Sequence, residues 1–310
     1  MTGLDITQEA FETEKRVVIE EYNQRYLNQP YGDQWMLMRD MAYKVHPYRW
    51  ATIGLTPEHI EKASLEEVRA FYERFYNPSD AILSVAADID PAKIIVMAEK
   101  WFGGVHGPHT MKDPIPQEPE QTEARRMEVE RDVPATAVTI AFKMGRRTDR
   151  QFYQGDIISD LLAGGTSARL YRSLVQERRL FTATNAYVSG DVDPGLFVVT
   201  GQVAEGVTAE EGESAIWDEL HRLQQERVPE YELEKVKNKF EAGVTFGELN
   251  VMNKAMNLGF YSMLGDMSLL NGEIDIFRSI SAEEVMEGSQ RLFAPQRSST
   301  LIYRMGNGSK

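Results

Sequence analysis

Four prolines in the aperiodic stretch 105–125 break this chain in two, and that break constrains the fold more than any other feature. Each side carries its own succession of helices and strands. After the break, RMEVERDV and ATAVTIAFKM read as strands from their β-branched and apolar content. YQGDIISDLLAG and TSARLYRSLVQER follow as a helix pair around Gly164-Gly165. TATNAYVSG and GLFVVTGQV then form an antiparallel pair across a DVDP turn. Thr208 with Glu211 caps a long helix, and a second helical run carries Leu233, Val236, Phe240 and Val244. The Met-rich NVMNKAMNLGFYSMLGD is a third helix. Ser281 with Glu284 caps the last one, and SSTLIYRM closes the chain as a strand. Strand pairs separated by helix groups exclude the strict alternation of a doubly wound sheet. They predict an α+β fold with an antiparallel sheet covered on one face.

Upstream of the break, ITQEAFETEKRVVIEEYNQRYL is a helix with Thr7 as N-cap, ended by Pro30 and Gly32. A second helix runs through Trp35, Met38, Met41 and Ala42, and HPYRWATIGLTPEHI reads as loop. Ser64 with Glu67 caps a helix that Asn77-Pro78 ends; AILSVAADI reads as a strand, and Asp90-Pro91 opens a helix stopped by Gly103-Gly104. This succession resembles the later part of the second half. The expected organisation is therefore two copies of one domain: residues 1–112, a linker at 113–125, and residues 126–310. The first copy is expected to lack its beginning, so that residues 1–112 expose unpaired strand edges and apolar faces.

Composition closes off several functions. With 34 Lys+Arg against 48 Asp+Glu the net charge is −14, which disfavours a phosphate-binding surface and hence nucleic acid. The absence of cysteine excludes disulfides, thiolate metal sites and a thiol nucleophile. No apolar run is long enough for a membrane span. The N-terminal residues show no basic region followed by an apolar one, so no signal peptide is visible, and the compartment is left open. No phosphate-binding loop, dinucleotide fingerprint or nucleophile elbow occurs. DVDPG lacks the later acidic ligands of a calcium loop and reads as a turn. His106 and His109 stand close together but without an organised third ligand; His46, His59 and His221 are isolated.

Two glutamates of the first helix, Glu14 and Glu21, are seven residues apart and so share a face. The apolar triplet Val17-Val18-Ile19 between them is expected to turn to the core. By themselves, two helical carboxylates are most simply a solvated face.

ETEKRVVIEEYNQR resembles the downstream glutamate helix of the insulinase/pitrilysin (M16) metallopeptidase family, in its bacterial single-repeat branch. FYNPSDAILSVAADID with the helix ending WFGG is similar to the close of that family's first domain, and AGGTSARLYRSLVQERRLF to a helix pair of its second. The resemblance implies two homologous domains of the LuxS/mitochondrial-processing-peptidase-like type. It also implies a zinc ion held by the two histidines of an H-x-x-E-H motif and a later glutamate. Aligned on the two glutamates, Glu21 matches that third ligand and Glu14 its same-face companion. H-x-x-E-H occurs nowhere in these residues, and the family's substrate-polarising Arg and Tyr fall on Val175 and Thr182. The resemblance thus implies zinc in a complete protein but none held tightly by this chain. The expected function is part of a zinc metalloendopeptidase, inactive as it stands. The expected partners are a peptide or unfolded protein and a second M16-like subunit, as homodimer or heterodimer. The alternative is a non-catalytic peptide-binding or assembly subunit.

Overall fold

The computed structural model describes residues 3–107 and 113–306. Its elements in chain order are α1 (Gln8–Tyr22), α2 (Gln34–Ala42), α3 (Pro57–Lys62), α4 (Leu65–Phe75), α5 (Pro91–Phe102), β1 (Arg125–Arg131), β2 (Ala137–Lys143), α6 (Arg150–Ala163), β3 (Phe181–Val188), β4 (Leu196–Val203), α7 (Ala209–Gln225), α8 (Glu230–Gly247), α9 (Val251–Leu264), α10 (Leu269–Ser279), α11 (Ala282–Leu292) and β5 (Ser298–Met305). Single π-helical turns lie at Asn23–Leu27 and Tyr171–Glu177. The mixed α+β class agrees with the sequence pattern.

The chain divides into two compact units that are not its two sequential halves. The first unit holds residues 3–28, 51–107, 113–115 and 245–271; the second holds 29–50, 116–244 and 272–306. Residues 29–50 are thus part of the unit built mainly from the chain after the break.

The second unit carries a five-stranded sheet in the order β1-β5-β2-β4-β3. The expected β3–β4 hairpin is present, and β2 runs antiparallel to both β4 and β5. Two expectations are corrected. The sheet is mixed, because β5 inserts between β1 and β2 and pairs with β1 in parallel. Both of its faces are covered: Val138, Ile140 and Phe142 of β2 meet α6, α7 and α11 on one side, while Ala137 and Ala141 meet Met38, Met41 and Ala42 of α2 on the other. The cause is visible in β2 and β5, each buried at six successive positions, a pattern that suits a strand enclosed on both faces.

The first unit is helical among its described residues. AILSVAADI makes no hydrogen-bonded ladder there, so the strand expected at that place is not observed. Ile82, Leu83 and Val85 are about half exposed, and α5 has no buried residue although it carries Ile95, Val96, Met97 and Trp101. HPYRWATIGLTPEHI, read as loop, contains a 3-10 turn at Pro47–Arg49 and the start of α3. Amides without ladder partners and with little cover open at little cost. Hydrogen exchange of residues 82–87 should therefore be faster than that of β2 and β4 by roughly a thousandfold or more. Equal protection of the two segments in a monomer would contradict this.

Candidate functional site

Helix α1 starts because Thr7 accepts a hydrogen bond from the Ala10 amide at 3.2 Å. Its inner face is fixed by Lys15 and Tyr22, themselves seven residues apart. The Lys15 ammonium donates to the Ala63 carbonyl at 3.1 Å, and the buried Tyr22 hydroxyl donates to the Leu55 carbonyl at 2.9 Å. Glu14 and Glu21 each precede one of these anchors by one residue, about 100° round the helix, and so stand away from them. Glu14 is exposed and Glu21 half-exposed, the latter 3.0 Å from the Arg25 guanidinium. The expected inward turn of the apolar triplet is only partial: Val18 and Ile19 are half-buried, but Val17 is 53% exposed. Tyr22 alone is buried on this helix. The π-helical turn begins two residues after Glu21, and together with α1 it lines a shallow open depression formed by Arg16, Val17, Glu20, Glu21, Gln24 and Arg25.

The zinc fit fails on these residues. Tight zinc binding needs three or four protein ligands, and among the described residues no three His, Asp or Glu side chains gather to hold a metal. His106 is exposed; His109 lies outside the described residues. His46 is buried with its Nδ1 accepting from the Tyr48 amide and its Nε2 3.4 Å from Asp193, which makes it a local structural residue. The DVDP turn is likewise internally satisfied: Asp191 accepts from the Ser189 hydroxyl at 2.6 Å and faces Arg39 at 3.3 Å.

Val175 and Thr182 belong to the second unit. Val175 lies on the π-helical turn, partly buried against the core on that face of the sheet, and brings no donor. Thr182 is exposed on β3, its hydroxyl donating to the Gln202 carbonyl at 3.2 Å. Neither offers the charge or reach that polarises a peptide carbonyl. The neighbouring Arg172 and Arg178 make surface ion pairs with Glu177 and Asp218.

The strongest electrostatic arrangement was not expected from the sequence. Glu118, in the Pro-rich stretch, accepts the successive backbone amides of Lys44, Val45 and His46 at 2.8–2.9 Å and the Lys143 ammonium at 2.9 Å. Burial alone would raise its pKa; these four donors outweigh it and hold the carboxyl down at about 2. A second cluster joins Arg147 to Glu273 at 2.6 Å, with Tyr153 donating to Glu273 at 3.0 Å. Nearby, Asp156 is raised to about 6, by burial first and by Asp160 second. No spacing motif marks either cluster, because each joins residues far apart in the chain.

The chain is 25% identical over 307 residues to the zinc protease PqqE of Helicobacter pylori, covering 98% of itself and 69% of that protein. It is 22% identical over 267 residues to an uncharacterized zinc protease of Rickettsia bellii, covering 84% of itself and 62% of that relative. In fold it is similar to a protease from Helicobacter pylori, with a TM-score of 0.92 at 24% identity over 98% of this chain and 74% of that one. It is also similar to a peptidase M16 inactive domain from Pseudomonas fluorescens, with a TM-score of 0.83 at 16% identity over 98% and 72%. The profile described as the peptidase M16 inactive domain matches residues 62–240, more than half of the sequence, and the chain belongs to that family.

Proposed function

We propose that this chain supplies the glutamate helix and the non-catalytic domain of a zinc-dependent peptidase, and that it hydrolyses no peptide by itself. The observation that carries this reading is Glu21. Lys15 and Tyr22 anchor the helix about 100° round from it, so its carboxylate is presented to solvent, paired with Arg25 in a shallow depression that Arg16, Glu20 and Gln24 also line. Relatives named zinc proteases are longer than this chain, which spans 69% and 62% of the two described. The remaining ligands would then come from residues outside these 310, and the substrate would be a peptide or unfolded protein.

A second reading rests on a specific observation. Val175 and Thr182 bring no cationic or phenolic donor, which favours a subunit that binds peptide or assembles with a second M16-like chain without catalysis. The native polypeptide from its source distinguishes the two. Under the first reading it is longer than this chain, contains H-x-x-E-H and carries about one zinc per chain. Glu21→Gln should then lower zinc affinity by about 100-fold, since even loss of a group supporting a metal ligand costs 10–100-fold. A native product no longer than this chain, free of zinc, would establish the second.

A further inference from the structure

The sheet of the second unit ends in β1 on one side and in β3 on the other. An edge strand offers its unpaired backbone groups to any extended partner, and folded proteins blunt such edges. β3 is blunted. Its ladder with β4 carries an irregularity between Phe181 and Ala183, and the Ala186 amide is taken by the Asn185 side chain at 2.9 Å. That amide faces away from β4, since the inward turn is the one that bonds the Ser189 amide to the Leu196 carbonyl. β1 has neither device, and it pairs with β5 over its whole length without a break in register.

Strand geometry fixes what β1 presents. The Arg131 carbonyl accepts from the Gly306 amide at 2.7 Å, so the odd-numbered residues turn their backbone groups to β5. Arg126, Glu128 and Glu130 therefore turn theirs outward, and their side chains stand exposed on one face. Read antiparallel about Glu128, this segment is its own complement. A second β1 laid against the first in that register sets Arg126 opposite the partner's Glu130, and by symmetry does so twice. On the other face it sets Met127 opposite the partner's Val129, both of them packed against the cluster beneath α2. Within the chain this pairing is left open. Among the described residues Glu130 makes no ion pair, and Arg126 meets Glu128 and Glu213 with three of its five N–H groups. Glu128, which falls on the twofold axis, is already neutralised by Arg126 at 3.0 Å and Arg304 at 2.8 Å. Arg125 and Arg131 would oppose each other, but they are drawn back to the Met41 and Ala42 carbonyls and to Asp33.

We propose that β1 is a self-association surface: two copies of this chain join antiparallel about Glu128 and continue one sheet across a twofold axis. The outward amides and carbonyls of residues 126, 128 and 130 supply the ladder, and the Arg126–Glu130 pairs set its register. The proposal gives the assembly of the second reading a surface. It rests only on the sheet-bearing unit and stands whether or not Glu21 meets a metal.

Sedimentation equilibrium of the whole chain tests this, with thermal unfolding to show that each variant is folded. The original chain should pass from monomer to dimer within about 10–100 micromolar. Glu130→Arg has no ion pair to lose and should keep its unfolding midpoint. It should nevertheless raise the dimer dissociation constant by about tenfold, because symmetry makes one substitution act on two cross-strand pairs. Glu130→Pro removes an outward amide without touching the ladder to β5, and should leave the chain monomeric over the same range. A chain that stays monomeric throughout would overturn the proposal, and so would an edge that takes up an extended peptide in place of a second copy. A dimer that neither Glu130→Arg nor Glu130→Pro weakens would overturn it as well, since that dimer forms through another surface. Zinc content and the length of the native polypeptide are read separately, so the reading of Glu21 and this one fail independently.

Discussion

The Glu118→Ala variant is expected to lose about 3–5 kcal/mol of stability in the sheet-bearing unit, the range for breaking a buried charge pair by removing one partner. The side chain is 6% exposed and its partner Lys143 is 13% exposed, so little solvent is at hand to replace either one. Removal strands the ammonium and three consecutive amides of residues 44–46 at once. Those amides join the end of α2 to the loop holding His46, and α2 is the cover over one face of the sheet. Glu118→Gln should be milder, because the amide oxygen still accepts while the amide nitrogen faces donors. The pH dependence has a definite sign. A carboxyl held at about 2 in the folded state and near 4.5 when unfolded stabilises fully above pH 4.5, and that stability fades as pH falls toward 2. Urea unfolding at pH 7 and pH 3 measures it: the gap between Glu118→Ala and the original chain should narrow at the lower pH. A gap of under about 1 kcal/mol at pH 7 would show that water replaces the carboxylate without loss.

How far the sequence discloses this molecule can be judged element by element. Helices with local signals stand where the pattern puts them. Ser64 with Glu67, Thr208 with Glu211 and Ser281 with Glu284 all form the reciprocal cap that their spacing implies. The β3–β4 hairpin is equally local. The place of β5 is not: the last strand lies in the middle of the sheet, and nothing in SSTLIYRM states which strands flank it. AILSVAADI shows the reverse failure. Its β-branched content is that of a strand, yet a strand exists only with a ladder partner, and none pairs with it among the described residues. The membership of residues 29–50 in the second unit was hidden for a related reason, since an amphipathic helix does not state which sheet it will cover. Of the candidate site, the shared face of Glu14 and Glu21 was legible from periodicity, whereas the orientation of that face depends on Lys15 and Tyr22 reaching Ala63 and Leu55.

Asp156→Asn is expected to act in the opposite direction and to stabilise the chain by on the order of 2–3 kcal/mol at pH 8, from a shift of about two pH units at about 1.4 kcal/mol each. Burial on α6 is the larger cause of that shift and repulsion from Asp160 the next. Glu273 adds repulsion, while Arg147 and Lys239 oppose it. Lys239 is already engaged with Asp160 at 2.8 Å and Arg147 with Glu273 at 2.6 Å, which explains why two nearby cations fail to bring Asp156 back to its ordinary value. Because the folded pKa of about 6 exceeds the unfolded 3.8, this carboxyl favours folding fully below pH 3.8 and ceases to as pH rises through 6. The asparagine variant and the original chain should therefore converge in stability near pH 4, separate between pH 4 and pH 6, and stay apart by a constant amount above pH 6. Most of this window lies above that of Glu118, so one pH series resolves both groups: Glu118 governs the limb below about pH 4 and Asp156 the limb from about pH 4 to pH 6. Parallel unfolding midpoints for Asp156→Asn and the original chain from pH 4 to pH 8 would mean that Asp156 stays ionised at no cost. The carboxylates along α6 would then be solvated in the folded state and would place no limit on the stability of this unit.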